Sequence, residues 1–180
     1  MERWVVAAKR ADFVAIAKEF GIDPVIARLI RNRDVQDKEE IRRYLHGTVE
    51  ELASPHLMKD VDKAVEILRN KIKEKKQIRI IGDYDIDGVV STFILLKGLK
   101  RVGAHADTYI PDRVSDGYGI HEHLIEKAHA DGIDVIVTCD NGIAAYNEIA
   151  MAKEKGMTVI VTDHHEIPYK ETENGRELIF

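Results

Sequence analysis

The apolar positions change their period once along the chain, and that change divides it. Up to residue 76 they recur with helical spacing. Phe13, Val14, Ile16, Ala17 and Phe20 fit one stripe, which Gly21 is placed to stop. Asp23-Pro24 reads as an N-cap followed by proline at the first helical position, opening a second helix over 25–30. Asp37 and Glu40 have the spacing of a capping box ahead of a third helix over 41–45. Val61, Ala64, Val65, Leu68 and Ile72 stand at i, i+3, i+4, i+7 and i+11, which predicts a longer helix. It runs out in Lys73-Glu74-Lys75-Lys76, a solvated basic end that suits the helix dipole better than it suggests a nucleic-acid patch.

From residue 77 short β-branched runs alternate with helical stretches. Ile78-Arg79-Ile80-Ile81 predicts a strand ending at Gly82, with a helix over 89–102 behind it. A second strand is expected over 105–110, a helix over 120–130, a third strand over 135–138, a helix over 144–155 and a fourth strand over 157–162. This alternation predicts an α/β fold, a mostly parallel sheet with helices on both faces, over 77–180. A small helical region over 1–76 precedes it.

At 44% hydrophobic and 33% charged residues, the chain can bury a core and is not of disordered composition. No apolar run approaches the roughly 20 residues that span a bilayer, and the N-terminus lacks a signal-like stretch, so no membrane partner and a cytoplasmic location are expected. The lone Cys139 excludes an intramolecular disulfide and a thiolate zinc site. A net charge of -5 argues against a general basic field for nucleic acid. The charge is uneven, however: residues 1–76 carry 17 Lys and Arg against 14 Asp and Glu, whereas 77–180 carry 10 against 18.

Five of those 18 carboxylates follow the predicted strands. Asp83, Asp85 and Asp87 follow the first strand, Asp140 the third, and Asp163, with His164 and His165, the fourth. In open α/β sheets functional groups gather beyond the carboxyl ends of the strands, where strand order reverses. With strand order 2-1-3-4 these three strands are neighbours, roughly 4.8 Å apart, and their loops meet. Several carboxylates with a neutral imidazole repel one another without a cation and form a ligand set for Mn²⁺ or Mg²⁺, the histidine favouring Mn²⁺. Taken singly, an aspartate after a strand serves equally as a helix cap or turn residue, so Asp140-Asn141-Gly142 alone says little. It is the joint pattern of three acidic strand ends that points to a metal-dependent site.

The triplet Asp163-His164-His165 after a strand resembles the signature of the DHH phosphoesterases. Gly82-Asp83-Tyr84-Asp85-Ile86-Asp87-Gly88, Pro111-Asp112-Arg113 with Gly117-Tyr118-Gly119, and Cys139-Asp140-Asn141-Gly142 are similar, in order and spacing, to the motifs of the RecJ single-strand-specific exonuclease branch. The resemblance covers nearly the whole chain, including the helical lead-in over 58–64. It implies two-metal hydrolysis of single-stranded DNA from the 5′ end, with Mn²⁺ or Mg²⁺, in DNA repair and recombination beside repair or replication proteins. By the same resemblance Asp85, Asp87, Asp140 and His164 are metal ligands, Asp87 and Asp140 serving the tighter site. His165 faces the scissile phosphate, Asp163 orients a histidine, and Asp83 has no settled role. Arg113 is the expected phosphate contact. Gly117 and Gly119 allow close backbone approach, and Tyr118 stacks on or hydrogen-bonds to the substrate.

The family also supplies a further aspartate ligand from a later strand and a second, substrate-clamping domain. After His165 this sequence offers only Glu166, Glu171, Glu173 and Glu177 in a polar stretch read as a loop. The expectation is therefore a truncated DHH domain with weak or no activity by itself. Other readings explain less. A haloacid-dehalogenase-like phosphatase would make Asp85 of Asp85-Ile86-Asp87-Gly88 the nucleophile, yet leaves the histidine pair and Arg113 unused. Smaller DHH relatives, which cut short oligonucleotides or cyclic dinucleotides, place a histidine four residues before Asp85, where Ile81 stands here. A non-catalytic RecJ-like scaffold of a replication complex would have lost ligands that this sequence keeps. A response-regulator receiver domain leaves the histidine pair unexplained.

Overall fold

The computed structural model describes residues 9–172 and 175–179. The chain forms two compact units, one up to Lys59 and one from Asp60 onward. In the first, helices α1 (Phe13–Phe20), α2 (Pro24–Asn32) and α3 (Lys38–His46) begin at aspartates whose carboxylates accept backbone N–H bonds: Asp12, Asp23 and Asp37. The Asp37 and Glu40 capping box is formed, satisfying orphan donors at both ends of the first turn of α3. Gly21 ends α1 in the left-handed conformation that a side chain would disfavour. Among the described residues of this unit, Ala17, Ala27, Ile30 and Ile41 are the buried apolar ones.

The second unit opens with α4 (Val61–Lys73), followed by β1 (Gln77–Ile81), α5 (Ile86–Arg101), β2 (His105–Tyr109), α6 (Glu122–Ala130), β3 (Val135–Cys139), α7 (Tyr146–Glu154) and β4 (Thr158–Thr162). The four strands form a parallel sheet in the order β2-β1-β3-β4, the order under which the acidic strand ends are neighbours. Helices cover both faces. Ile78, Ile80, Val135, Val137, Cys139 and Ile160 pack with Leu99 of α5 and with Ala64, Ile67, Leu68 and Ile72 of α4. Ile81 and Ile136 point the other way, onto Ile120, Leu124, Ile125 and Ala128 around α6 and Ala152 of α7. Arg79 is buried on β1 and is tolerated there because it forks onto Asp107, its register partner on β2, and reaches Asp131 at 2.8 Å.

Three details differ from the sequence reading. The compact units divide after Lys59 rather than after residue 76, because the apolar stripe of α4 packs against the sheet and makes that helix part of its unit. Helix α5 starts at Ile86 instead of 89, since the Asp85 carboxylate accepts the Gly88 N–H at 2.9 Å and caps an earlier turn. The stretch after His165, read as a loop, contains an antiparallel pair, β5 (Tyr169–Thr172) with β6 (Gly175–Leu178).

Candidate metal centre and active site

The switch point of the sheet lies between β1 and β3, from which the chain leaves toward β2 on one side and β4 on the other. After β1 it turns sharply under α5, and two glycines make that approach feasible. A Cβ on Gly82 would fall 2.0 Å from Thr92 Oγ1, and one on Gly88 would lie 2.4 Å from the Asp83 carbonyl oxygen. The close contact buries Asp83 almost completely, at 2% exposure, and leaves Asp85 exposed at the cap of α5. The N–H of Gly88 is the main influence holding the Asp85 carboxyl below its usual range. Asp87 sits in the first turn of α5 with an exposed side chain.

Beyond β3 the backbone reverses within two residues. Asp140 adopts a left-handed conformation, φ 62°, uncommon for a residue with a side chain, and Gly142 follows at φ 104°. The Asp140 N–H donates to the Thr162 carbonyl at 3.1 Å, joining the end of β3 to the end of β4. Thr138 and Thr162 lock the same strands together: the Thr162 hydroxyl donates to the Thr138 carbonyl at 2.6 Å, and the Thr138 hydroxyl donates to the Asn141 carbonyl at 2.8 Å. After β4, the Asp163 carboxylate accepts the N–H groups of Ile143, His164 and His165 and contacts His165 Nδ1 at 2.7 Å. Burial alone would raise its pKa, but these hydrogen bonds outweigh it and hold Asp163 below the usual carboxylate range. The same bond is the main cause that raises His165 above the ordinary imidazole value.

The three strand ends converge. Ligand-capable atoms of Asp83, Asp85 and Asp140 lie within 4.8 Å of one another, and so do those of Asp140, His164 and His165. Asp140 belongs to both groups. Its Oδ1 is 2.8 Å from His164 Nε2, while its Oδ2 is buried without a hydrogen-bond partner, as are Asp83 Oδ1 and Asn141 Oδ1. Burial first, and then the charge of Asp85, push the Asp140 carboxyl upward. Buried acceptor oxygens left without donors beside mutually repelling carboxylates and imidazole nitrogens make a hard-to-borderline oxygen and nitrogen set. That is the chemistry of a site for Mn²⁺ or Mg²⁺. The residues therefore fit a divalent cation. Among the described residues, Asp87 is in neither of the two groups.

The loop over 111–119 borders this cluster. Arg113 lies over the ring of Tyr84 at 5.5 Å, and Tyr84 meets Tyr118 edge to face at 6.3 Å. The Tyr118 hydroxyl stands 3.3 Å from His165 Nε2. Gly117 and Gly119 both have positive φ, 79° and 88°. The loop is tied down by Asp116, which accepts from the Asp112 N–H at 2.8 Å and the Tyr109 hydroxyl at 3.2 Å and contacts His123 Nε2 at 3.0 Å. Tyr84, Asn141 and Asp116 were not singled out from sequence. Of these, only Tyr84, an aromatic among the aspartates of one loop, left a signal that could have been read.

Comparison with known proteins agrees with this geometry. A family model, the DHH family N-terminal domain, matches residues 77–179. The chain is 38% identical over 165 residues to the single-stranded-DNA-specific exonuclease RecJ of Bacillus subtilis, covering 91% of this chain and 21% of that protein. It is 37% identical over 145 residues to the RecJ of Escherichia coli, covering 80% and 24%. A crystal structure of an exonuclease RecJ bound to manganese superposes with a TM-score of 0.59 at 38% identity, over 64% of this chain and 29% of that one. The chain thus spans between a fifth and a quarter of the length of these two curated relatives. With a family model matching the whole sheet and all three acidic strand ends in place, the chain belongs to the DHH family.

Proposed function

We propose that this chain carries the metal-dependent phosphodiesterase site of a RecJ-like exonuclease that hydrolyses single-stranded DNA from the 5′ end, in DNA repair and recombination. The observation that carries this reading is the meeting of Asp85, Asp140, His164 and His165, from three separate strand ends, around buried carboxylate oxygens that have no donor. Asp85, Asp140 and His164 would hold the cations, with Asp87 completing the set from the first turn of α5. Bound there, Mn²⁺ or Mg²⁺ supplies Lewis-acid stabilisation of the phosphoryl oxygens and makes a water nucleophilic near neutral pH.

The remaining groups act on the substrate. Arg113 is exposed and presents a planar fork that matches two phosphate oxygens. His165, held by Asp163 through Nδ1, keeps its proton further into the neutral range than a free imidazole and so offers a donor to the phosphoryl group. Tyr118, beside His165, presents a ring and a hydroxyl to the end of the strand. The similarity to RecJ proteins of two bacteria supports single-stranded DNA as substrate. Among the described residues no helix is long and apolar enough to cross a membrane.

The test is Mn²⁺-dependent release of mononucleotides from a 5′-labelled single-stranded oligonucleotide, by this chain and by its Asp140→Ala variant, with Mn²⁺ titrated into both. Metal binding and release that both vanish in the variant support the reading. A chain that binds no Mn²⁺ would refute it.

A further inference from the structure

Asn141 is 1% exposed, sits beside Asp140 and bonds only to backbone. Its Nδ2 donates to the carbonyl of Ile81, the last residue of β1, and to that of Cys139, the last residue of β3, both at 3.3 Å. Two acceptors on one side fix which way the amide faces, because turning it over would set oxygen against oxygen. Parallel pairing between these strands ends at Ile81 with Thr138. Past that point the chains part into the two loops that carry Asp83 and Asp85 on one side and Asp140 on the other. The Asn141 amide takes the place of the next rung of the ladder.

We propose that Asn141 is a positioning residue for the metal centre: its side-chain amide holds the ends of β1 and β3 at the separation at which Asp85 and Asp140 share a cation. The inference rests on the metal reading of the site. Its physical content is that like-charged carboxylates within 4.8 Å of each other push their loops apart, and a link must resist this before the cation arrives. Among the described residues no other side chain donates to a main-chain carbonyl across these two strand ends. Thr138 and Thr162 serve β3 and β4 instead. Groups that orient metal ligands without touching the metal typically change affinity by about 10–100-fold when removed.

The test compares Mn²⁺ dissociation constants of the unmodified chain, Asn141→Ala, Asn141→Asp and Leu99→Ala. Leu99 lies in the last turn of α5, away from the strand ends, and its truncation removes core packing without touching the link. The expected result is Mn²⁺ binding at least about tenfold weaker for both Asn141 variants and unchanged for Leu99→Ala. Asn141→Asp sharpens the comparison, because an added negative charge alone would strengthen cation binding, whereas loss of the link weakens it. It also carries the comparison if the alanine variant does not fold. Unchanged affinity in the Asn141 variants, or an equal loss in Leu99→Ala, would overturn the proposal. Absence of Mn²⁺ binding by the unmodified chain would instead overturn the metal reading on which it rests.

Discussion

His164 Nε2 lies 2.8 Å from Asp140 Oδ1, joining residues 24 positions apart at the ends of adjacent strands. The contact exists because β3 and β4 pair in register up to Cys139 with Thr162, after which each chain turns at once. Asp140 is therefore the residue through which the two ligand groups communicate.

From this follows a prediction for Asp140→Asn. Asparagine tolerates the left-handed backbone, so the fold is retained, and removing one charge relieves repulsion with Asp85. Without metal the variant should melt no lower than the unmodified chain. With Mn²⁺ at about 100 times the dissociation constant, the unmodified chain should gain about 2.7 kcal/mol, a gain the variant loses. Calorimetric melting with and without Mn²⁺ measures both. A metal-free variant that melts clearly lower would show that the carboxylate is structural.

A second prediction concerns pH in the absence of metal. His165 is raised by its bond to Asp163, so the stability this contributes is full below about pH 6.5 and is lost as pH rises through the elevated value. Asp163 is lowered, so its contribution is present above about pH 3.9 and is lost as pH falls through the depressed value. The pair thus contributes most between these limits. The stability difference between the unmodified chain and His165→Gln should be largest at mildly acidic pH and shrink on both sides. A difference that grows steadily from pH 6 to 9 would be inconsistent with the pairing.

Tyr84 should act through Arg113. A guanidinium over an aromatic face is worth about 0.5–1 kcal/mol at an exposed site, and the same ring supports Tyr118. Tyr84→Phe should leave substrate affinity nearly unchanged. Tyr84→Leu should weaken oligonucleotide binding about two- to fivefold without altering Mn²⁺ binding. Equal loss in both variants would assign the effect to the hydroxyl instead.

Gly88→Ala should reverse the usual helix preference. Alanine in a helix interior normally stabilises by about 0.8–1 kcal/mol relative to glycine. Here the added carbon would meet the backbone of Asp83 at 2.4–2.6 Å, forcing α5 away from the strand end. We expect a loss of about 1–3 kcal/mol in denaturant unfolding, accompanied by weaker Mn²⁺ binding. A stabilised variant would mean that the contact relaxes freely.

Most of the sheet was legible in the sequence because its strands are short, β-branched and bounded by glycine or aspartate; the order 2-1-3-4 entered only as the arrangement that would bring the acids together. The helix starts were harder to place. Asp85 acts as both a cap and a candidate ligand, and the first turn of α5 was missed because Ile86-Asp87-Gly88 lacks an apolar period. The division at Lys59 was hidden for a different reason: an amphipathic stripe shows that α4 packs against something, not against what. Within the site, the acidic strand ends pointed to a metal-dependent cluster, and the family resemblance implied Asp85, Asp87, Asp140 and His164 as its ligands. Neither could show that Asp83 is buried while Asp87 faces outward, because that depends on the clearance of two glycines. Asn141 stood in a recognised motif, but nothing there told its role, since its partners are main-chain carbonyls, which every residue has.

The start of α5 has one more consequence. Its capping aspartate belongs to the acidic cluster, so the N-terminal end of the helix dipole, equivalent to roughly half a positive charge, lies beside the same carboxylates. That field opposes a lone cation and favours a phosphate, so the carboxylates overstate how tightly the ion alone is held. A cation accompanied by a phosphate group balances both fields at once, and linkage then requires each to tighten the other. The chain should therefore show a higher apparent affinity for Mn²⁺ in the presence of a nucleoside 5′-monophosphate than of the uncharged nucleoside. Equal affinities would leave the helix field without influence. With that coupling, an ion that exchanges readily from the carboxylates alone is retained once a phosphate group arrives, and its residence is set by that ligand more than by the protein.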